Sequence, residues 1–449
     1  MNHYKITLTV GLLAIFFSAT AQEPKSFSLK EAQDYAIEHN YQNQNAIKDI
    51  EIAKKKVWET TAIGLPQVNA EGQIQRFIDI PTQVAPANAF NPMAPEGELA
   101  TFQFGLNYNN SVGITASQLI FDGSYIVGLQ AAKTYKDLSI NSQVKTEIEL
   151  RDAVAQAYYT VLATKKNVLV LSQSLETSKQ MLEETKAMYK EGLTEEQNVD
   201  QLELNVNALK TSLGIAEGQR DFAIKLLNLQ LGLDISTQLV LTDEFDNMIA
   251  TNQNSALDKE FKIENHIDYE LIITNMKLSQ LSLRKEKYSF LPTVSAIFSH
   301  QQQNFGNELN VFSSDARWFP ATIVGVNLKL PILTSGARLS KVSQAKIELE
   351  KMENSAKEIE QNLKYQSELA ESNFDTAKET FDNQKDNLAL AQKIYDKTVK
   401  KYEAGIASSL ELTQAQNQML NAEGNYVKAV LDLLNARSAL EKSYGQKIK

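Results

Sequence analysis

The sequence YEAGIASSLELTQA (residues 402–415) places one glycine, Gly405, inside a long run of residues that is otherwise typical of a helix. A second stretch, YKEGLTEEQNVDQL (residues 189–202), does the same with Gly192, 213 positions earlier. From these stretches to the end of each unit the offset stays at 213 without a gap. Such self-similarity predicts a tandem duplication, in which each unit runs helix, strand, loop, strand, long helix, break and helix.

Each break follows a very long predicted helix. Residues 124–190 and 337–403 contain no proline, and at 1.5 Å per residue each could form a helix of about 100 Å. Apolar residues recur in both at seven-residue intervals, which predicts antiparallel coiled-coil packing with left-handed supercoiling. The helices after the breaks, residues 196–230 and 409–443, carry apolar seams at alternating spacings of three and four. The seven-residue series are Val154, Val161, Val168, Leu175, Leu182 and Tyr189, and then Phe374, Phe381, Leu388, Tyr395 and Tyr402.

Residues 102–120, FQFGLNYNNSVGITASQLI, alternate between apolar and polar side chains. This alternation is longer than an ordinary strand and is typical of membrane-spanning strands in outer-membrane barrels. Residues 320–332 repeat it, and partner strands are predicted at 66–78 and 292–304. Four strands cannot close a barrel, because the smallest transmembrane barrels have eight and lipid does not tolerate an open sheet edge. The chain must therefore oligomerise: two copies would give eight strands and three would give twelve.

Composition indicates an exported protein. The start of the chain has Lys5, an apolar run over residues 6–17 and the small residues Ala19 and Ala21, which is the pattern of a cleaved signal peptide. No later segment is apolar over the roughly 18 residues that a membrane-spanning helix needs. There is no cysteine, and the net charge of -10 argues against a nucleic-acid partner.

The predicted organisation has four segments. The signal peptide occupies residues 1–21, the first repeat 22–230, an equatorial or linker segment 231–265, and the second repeat 266–449. Within the repeats, helices at 41–63 and 266–289 precede the strands, and the tips of the helical hairpins lie at 191–195 and 404–408.

In combination, the signal peptide, the duplication, the strand pairs and the tip sequences resemble the TolC family of outer-membrane efflux proteins over essentially the whole mature chain. The tip sequences are Tyr-x-x-Gly-Leu from Tyr189 and Tyr-x-x-Gly-Ile from Tyr402. The resemblance implies a mainly α-helical protein with a membrane β-barrel part. It would be a homotrimer with a 12-stranded barrel in the outer membrane of a Gram-negative bacterium and an α-barrel in the periplasm.

The resemblance also implies a function and partners. Such a protein is the passive exit channel of a tripartite efflux or type I secretion system, served by an inner-membrane pump of the RND or ABC type and by a periplasmic adaptor. Residues 27–40 and 231–268, which fit neither a strand nor a heptad, would then form the family's equatorial belt around the tunnel. The exported substrate is not implied by the sequence.

Site residues transfer from the family only where this sequence matches. The tips that would meet the adaptor carry Gly192, Leu193, Gly405 and Ile406. Tyr402 matches the tyrosine of the family's periplasmic gate.

Three further residues are gate candidates: Tyr189, Asp200 and Glu411. Ala407 stands where some members carry the gate arginine, so we expect a looser closure through tyrosines and hydrogen bonds. The patterns Ser408-x-x-Glu411 and Thr194-x-x-Gln197 also predict capping boxes at helix starts, which is an alternative role for Glu411.

Nothing in the sequence predicts an enzyme, a cofactor or a metal site. The histidines His39, His266 and His300 are scattered, and there is no HExxH, GxSxG or GxxxxGK[ST] motif. The alternatives to a channel are a periplasmic coiled-coil adaptor and a purely structural coiled coil. An adaptor carries one hairpin between compact β domains, and the alternation at residues 102–120 argues against a purely structural role.

Overall fold

The computed structural model describes residues 25–248 and 261–445. The predicted signal peptide, part of the linker segment and the last four residues lie outside the described residues. The chain forms two compact units, and each takes segments from both predicted repeats. Among the described residues, the helical unit contains those up to Gln44, those in Glu147–Phe261 and Gln366–Ser443, and the strand unit contains Asn45–Thr146, Lys262–Tyr365, Tyr444 and Gly445.

Helices dominate the described chain, and the two longest, α3 and α6, end at the tips. None of the helices in residues 25–248 and 261–445 is both long and apolar enough to cross a bilayer. In chain order the elements are β1 (Lys25–Phe27), α1 (Leu29–His39), α2 (Tyr41–Ile63), β2 (Gln67–Arg76), β3 (Thr82–Pro86), β4 (Leu99–Gln103), β5 (Tyr108–Phe121), α3 (Gly123–Lys190), α4 (Glu196–Leu231), β6 (Leu239–Leu241), α5 (Ile267–Tyr288), β7 (Thr293–Gly306), β8 (Trp318–Lys329), α6 (Ala337–Glu403) and α7 (Ser409–Ser443).

The strand unit contains a four-stranded antiparallel sheet in the order β2-β5-β7-β8. Directly opposed residues of antiparallel strands point to the same face. One such row is Val68, Ala116, Phe298 and Val324, and the next row on the opposite face begins with Asn69 and Thr115. Apolar side chains of the first face are solvent-exposed on all four strands. In this part of the sheet, one face is therefore an exposed apolar surface and the other is mainly polar.

Both edges of this sheet are free within the described residues. β2 pairs only with β5, and β8 pairs only with β7. The unpaired backbone groups of an edge strand are a template for pairing with another chain. The sheet is thus left open at two strands that belong to different predicted repeats.

The single strand predicted over residues 102–120 is wrong, because the structure divides it into β4 and β5. Gly105, between the two strands, has φ of +139°, a conformation that side-chain-bearing residues rarely adopt. The residues before the break pair with β3 instead, with Phe102 opposite Gln83. The segment between the strands predicted at 66–78 and 102–120 therefore contains most of a small antiparallel hairpin. Alternation alone missed the break because apolar residues continue on both sides of it.

The passage from strand to helix is fixed by Asp122 and Gly123. The Asp122 carboxylate accepts from the Tyr125 N–H at 3.0 Å, which satisfies one of the free donors at the start of α3. A Cβ on Gly123 would lie 2.7 Å from Leu291 Cδ1 and 3.2 Å from the Tyr288 carbonyl oxygen, so a larger residue there would require Leu291 to shift. This junction sets where β5 ends and α3 begins.

The core of the helical unit is built from the predicted heptad positions. Val154, Val161, Leu175 and Leu182 of α3 are buried, and so is Phe381 of α6. Full burial of such a side chain stabilises the fold by about 1.5–3 kcal/mol. Val154, Val161 and Phe381 pack with apolar residues of α1, α4 and α7 in one continuous cluster, and Leu182 lies in a separate cluster nearer the tips.

The sequence pattern of residues 27–40 fits neither a strand nor a heptad. In the structure, hydrogen bonds to the Asp243 carboxylate link this segment to the rest of the helical unit. Residues Leu29–His39 form α1, and β1 pairs in parallel with β6. The Asp243 carboxylate accepts from the Leu29 N–H at 2.8 Å and from the Tyr158 hydroxyl at 2.9 Å. Burial, together with Asp243, raises the pKa of Tyr158 above its ordinary value. A single carboxylate thus ties α1 to α3.

Candidate functional site

Both tips turn through the same backbone motif. Gly192 and Gly405 have φ of +72° and +70°, the left-handed conformation that favours glycine. At the first tip the Gly192 N–H donates to the Tyr189 carbonyl and the Leu193 N–H to the Met188 carbonyl, both at 2.9 Å. This pair of backbone hydrogen bonds is the Schellman motif, which commonly ends helices. Open space surrounds each glycine, so another residue would be opposed only by backbone strain, of about 1–2 kcal/mol.

The second tip repeats this motif with the equivalent atoms. The Gly405 N–H donates to the Tyr402 carbonyl at 2.9 Å, and the Ile406 N–H donates to the Lys401 carbonyl at 2.8 Å. Leu193 and Ile406, which follow the glycines, are 72% and 76% exposed. Each tip therefore presents one large apolar side chain to its surroundings.

The two returning helices begin differently. Ser408 and Glu411 form a capping box: the Glu411 carboxylate accepts from the Ser408 N–H at 2.9 Å, and the Ser408 hydroxyl accepts from the Glu411 N–H at 3.2 Å. The capping box predicted at Thr194 is wrong, because α4 begins one residue later, after Glu195, which makes no side-chain capping bond. Thr194 instead accepts from the side-chain amide of Asn198 at 3.0 Å.

Among the gate candidates, Tyr402 makes the most specific contact. Its hydroxyl lies 2.6 Å from the Thr185 hydroxyl. The Thr185 hydroxyl also donates to the Met181 carbonyl at 2.8 Å, so its only proton is used there and Tyr402 must be the donor between the two hydroxyls. The ring of Tyr402 packs against apolar side chains of α3, α4, α6 and α7. Tyr402 thus joins both tip hairpins.

A second polar contact joins the starts of the two returning helices. The hydroxyl of buried Ser409 lies 2.5 Å from Asn198 Oδ1 and 2.8 Å from Gln201 Oε1. Asn198 is oriented by its bond to Thr194, so its oxygen is the acceptor of the Ser409 proton. A hydroxyl has one proton, so Ser409 can donate fully to only one of these two amide oxygens at a time.

A third polar contact lies further from the tips, at Gln416 of α7. This side chain is only 2% exposed. Its oxygen accepts from Asn205 of α4 at 2.7 Å, and its nitrogen donates to the Ser178 hydroxyl of α3 at 2.8 Å. Hydrogen bonds in a buried site are strong when every partner is satisfied, and they fix one register between the helices.

The structure does not bring all four gate candidates together. Tyr189 is 42% exposed and Asp200 is exposed, and neither side chain makes a hydrogen bond or ion pair with residues 25–248 or 261–445. Glu411 is engaged in its capping box. Tyr402 is the one candidate with a partner on another helix.

Sequence reasoning did not identify Thr185, Ser409 or Gln416 as part of this site. A signal was present for two of them: Thr185 lies three residues after the heptad residue Leu182, and Gln416 lies four after the seam residue Leu412. Polar residues at such spacings share the buried face of a helix. They escaped notice because the seams were traced through apolar residues alone.

An outer membrane channel with a helical extension would need both a sheet with one exposed apolar face and long helices, and this chain has both features. A model of the family described as outer membrane efflux protein matches residues 277–446. The chain is 24% identical over 242 residues to outer membrane protein TolC of Vibrio cholerae. The aligned residues cover 52% of this chain and 53% of that protein. The aligned part is thus about half the length of that relative.

Two further comparisons cover most of the chain. It is 23% identical over 396 residues to the probable efflux pump outer membrane protein TtgC of Pseudomonas putida, covering 86% of this chain and 79% of that protein. The fold matches the open state of the MtrE outer membrane channel of Neisseria gonorrhoeae with a TM-score of 0.72 at 18% identity, covering 94% of this chain and 89% of that one.

The family model, the two relatives and the channel structure all indicate a TolC-family outer membrane efflux protein. The predicted family and the predicted outer-membrane localisation, extending into the periplasm, are confirmed. The comparisons also favour a channel over the adaptor and the structural coiled coil that the sequence left as alternatives.

Proposed function

We propose that this protein is the outer-membrane exit channel of a tripartite efflux or type I secretion system. Substrates delivered by an inner-membrane pump of the RND or ABC type would pass through it without further energy input. The observation that carries the proposal is the sheet β2-β5-β7-β8, whose exposed apolar residues share a face while both edge strands are free. An apolar face suits lipid, and free edges inside lipid require partner strands.

Three copies, each contributing four strands, would close a barrel of twelve strands. The free edge of β2 in one copy would pair with the free edge of β8 in the next, which removes every open edge. The homotrimer and the tandem duplication that supplies two strand pairs per chain are parts of this proposal. The polar face would then line the passage.

The tips are the proposed docking points for a periplasmic adaptor. Exposed Leu193 and Ile406 would give each copy two apolar contact points on equivalent turns, and a trimer would have six. Full burial of a leucine or isoleucine side chain that is otherwise exposed contributes about 1.5–3 kcal/mol. The equivalence of the two turns supports an adaptor that binds both through similar contacts.

The proposed gate centres on Tyr402, with Tyr189, Asp200 and Glu411 as further candidates. Glutamine at position 411 keeps the capping bond to Ser408 and removes only the charge. If the charge of Glu411 contributes to closure, Glu411→Gln will change the conductance of the closed channel. If Glu411 only caps α7, the conductance will equal that of the wild type, and the gate role of this residue is excluded.

The test of the channel is electrical recording of the full-length purified protein in planar lipid bilayers. We expect discrete, stable conductance steps that depend on protein. Protein that is recovered from the membrane fraction, inserts into bilayers and gives no steps would overturn the channel function.

A further inference from the structure

A basic groove lies between α3 and α5 in the strand unit. It has a volume of about 380 Å³, and three cationic side chains line it: Lys133, Lys277 and Arg284. None of the three makes an ion pair or hydrogen bond with any of the residues that the structure describes. In a chain with a net charge of -10, three unpaired cations around one groove need an explanation.

The groove is a fixed feature of the pair of helices rather than a gap at their ends. On the side of the sheet, the Ser124 hydroxyl donates to the Lys285 carbonyl at 3.4 Å. At the other end, Lys145 and Asp268 form an ion pair at 2.7 Å. Between these two contacts the helices leave an opening whose floor is formed by the buried residues Thr134 and Leu281.

The charges in the groove favour an anion. The only carboxylate among the lining residues is Asp137, and it is already within 3.8 Å of Lys136, which points to partial neutralisation. The side-chain amides of Gln130 and Gln280 add neutral hydrogen-bond donors. Lysine and arginine with amide donors are the side chains that proteins use to hold phosphate groups.

The position of the groove suggests where such a group comes from. Arg284 lies four residues before the end of α5, which is about 6 Å along the helix, and Lys277 lies about 16 Å from the same end. The headgroup layer extends about 5–8 Å beyond the hydrocarbon core of a bilayer. If the strands cross the hydrocarbon core, Arg284 is level with the phospholipid headgroups and the lysines lie just below them.

We propose that this groove binds a phosphate group through Lys133, Lys277 and Arg284. The phosphate belongs either to the headgroup of an anionic phospholipid in the inner leaflet or to free inorganic phosphate. The lipid source rests on the proposed function, because it needs the sheet to lie in the membrane. Basic pockets between helices at a membrane surface bind anionic headgroups in this way.

The test uses the full-length protein in detergent, with native mass spectrometry to measure binding of phosphatidylglycerol, phosphatidylcholine and inorganic phosphate. The variant combines Lys133→Gln, Lys277→Gln and Arg284→Gln, and Lys341→Gln, an exposed lysine of α6 in the same unit, is the matched control. We expect affinity for the preferred ligand to fall about fivefold for each cation removed, with no change in the control.

The outcomes separate the two sources. Preference for phosphatidylglycerol over phosphatidylcholine that the triple variant loses supports a lipid headgroup. Phosphate binding that the triple variant loses, without a lipid preference, supports free phosphate. Equal affinities of the wild type and the triple variant for all three probes overturn the site. Conductance recorded on the same preparations shows whether the channel function stands independently of that result.

Discussion

The hydroxyl of Tyr402 donates to the hydroxyl of Thr185 across 2.6 Å and so joins the last turn of α6 to α3. The family resemblance implies a gate arginine at position 407, where this chain has Ala407. The Tyr402–Thr185 hydrogen bond therefore takes the place of an ion pair in our account of tip closure. It is a neutral bond, and such bonds contribute about 0.5–1.5 kcal/mol each.

Replacing Tyr402 with phenylalanine should loosen the tip. Tyr402→Phe keeps the packing of the ring and removes only the donor to Thr185, so we expect a higher conductance of the closed channel in planar bilayers. Tyr189→Phe is the matched control, because Tyr189 holds the equivalent position at the other tip and its hydroxyl makes no hydrogen bond within the described chain. Equal conductance of the two variants would contradict the role of the Tyr402 hydroxyl.

Replacing Gln416 with leucine should destabilise the helical unit. Asn205 would lose its acceptor and Ser178 its amide partner, and a buried unsatisfied polar group costs about 1–3 kcal/mol. We expect a lower midpoint of thermal unfolding and faster amide hydrogen exchange in α7. Gln418→Leu, at an exposed position of the same helix, should change stability by no more than about 0.5 kcal/mol. A Gln416→Leu protein as stable as the wild type would show that the buried amide does not fix the helices.

Charged residues at the tips should block docking without affecting the channel itself. We expect Leu193→Glu and Ile406→Glu to reduce cellular resistance to exported compounds, because a carboxylate cannot enter an apolar contact without losing its hydration. Leu193→Met and Ile406→Leu keep the apolar character and should retain resistance. The amount of protein in the outer membrane should be the same for all four variants. Full resistance of both glutamate variants would exclude these side chains as docking contacts.

Acidification should weaken the start of α5 through His266. Its Nδ1 accepts from the Asp268 N–H at 3.1 Å, which requires an unprotonated nitrogen. Burial lowers the pKa of His266 from its ordinary value of 6.5; Asp268 opposes this shift and Lys145 reinforces it. A lowered pKa means that the stability contributed by neutral His266 is present above pH 6.5 and is lost as the pH falls through the lowered value.

The measurement for His266 is the midpoint of thermal unfolding as a function of pH. His266→Asn keeps a side-chain oxygen that can cap the helix but does not titrate. We expect the wild type to lose more stability than this variant on acidification from about pH 7. Parallel pH profiles of the two proteins would contradict the assignment.

The sequence was sufficient to predict the elements that depend on a long, regular pattern. The bounds of α3, α6 and α7 lie within one residue of those predicted, because dozens of residues share one period and none of the three helices contains a proline. The turns at Gly192 and Gly405 could also be predicted from the sequence, because a glycine in an otherwise helical run marks a left-handed conformation.

Other features depend on contacts between distant parts of the chain. The break between β4 and β5 needs β3 as an alternative partner, which alternation within one segment cannot reveal. The carboxylate of Asp243 reaches Leu29 and Tyr158 from far along the chain. Gln416 and Asn205 have ordinary spacing on their own helices, and only packing of α4 against α7 makes them partners.

The central claim is that copies of this chain close a barrel by pairing β2 of one with β8 of the next. The chain has no cysteine, so engineered pairs report this contact without background. Asn69→Cys in β2 would be combined in turn with Ala321→Cys, Ile323→Cys or Gly325→Cys in β8, which samples several registers on one face of the sheet. Within one copy, β5 and β7 separate these strands.

The decisive measurement is the size of the products after oxidation of outer membranes, read on a denaturing gel without reductant. The account predicts that at least one pair gives a ladder of one, two and three chains that stops at three, because the third contact closes the ring. A ladder that stops at two or continues past three, or single chains for every pair, would contradict a trimeric barrel built from these strands.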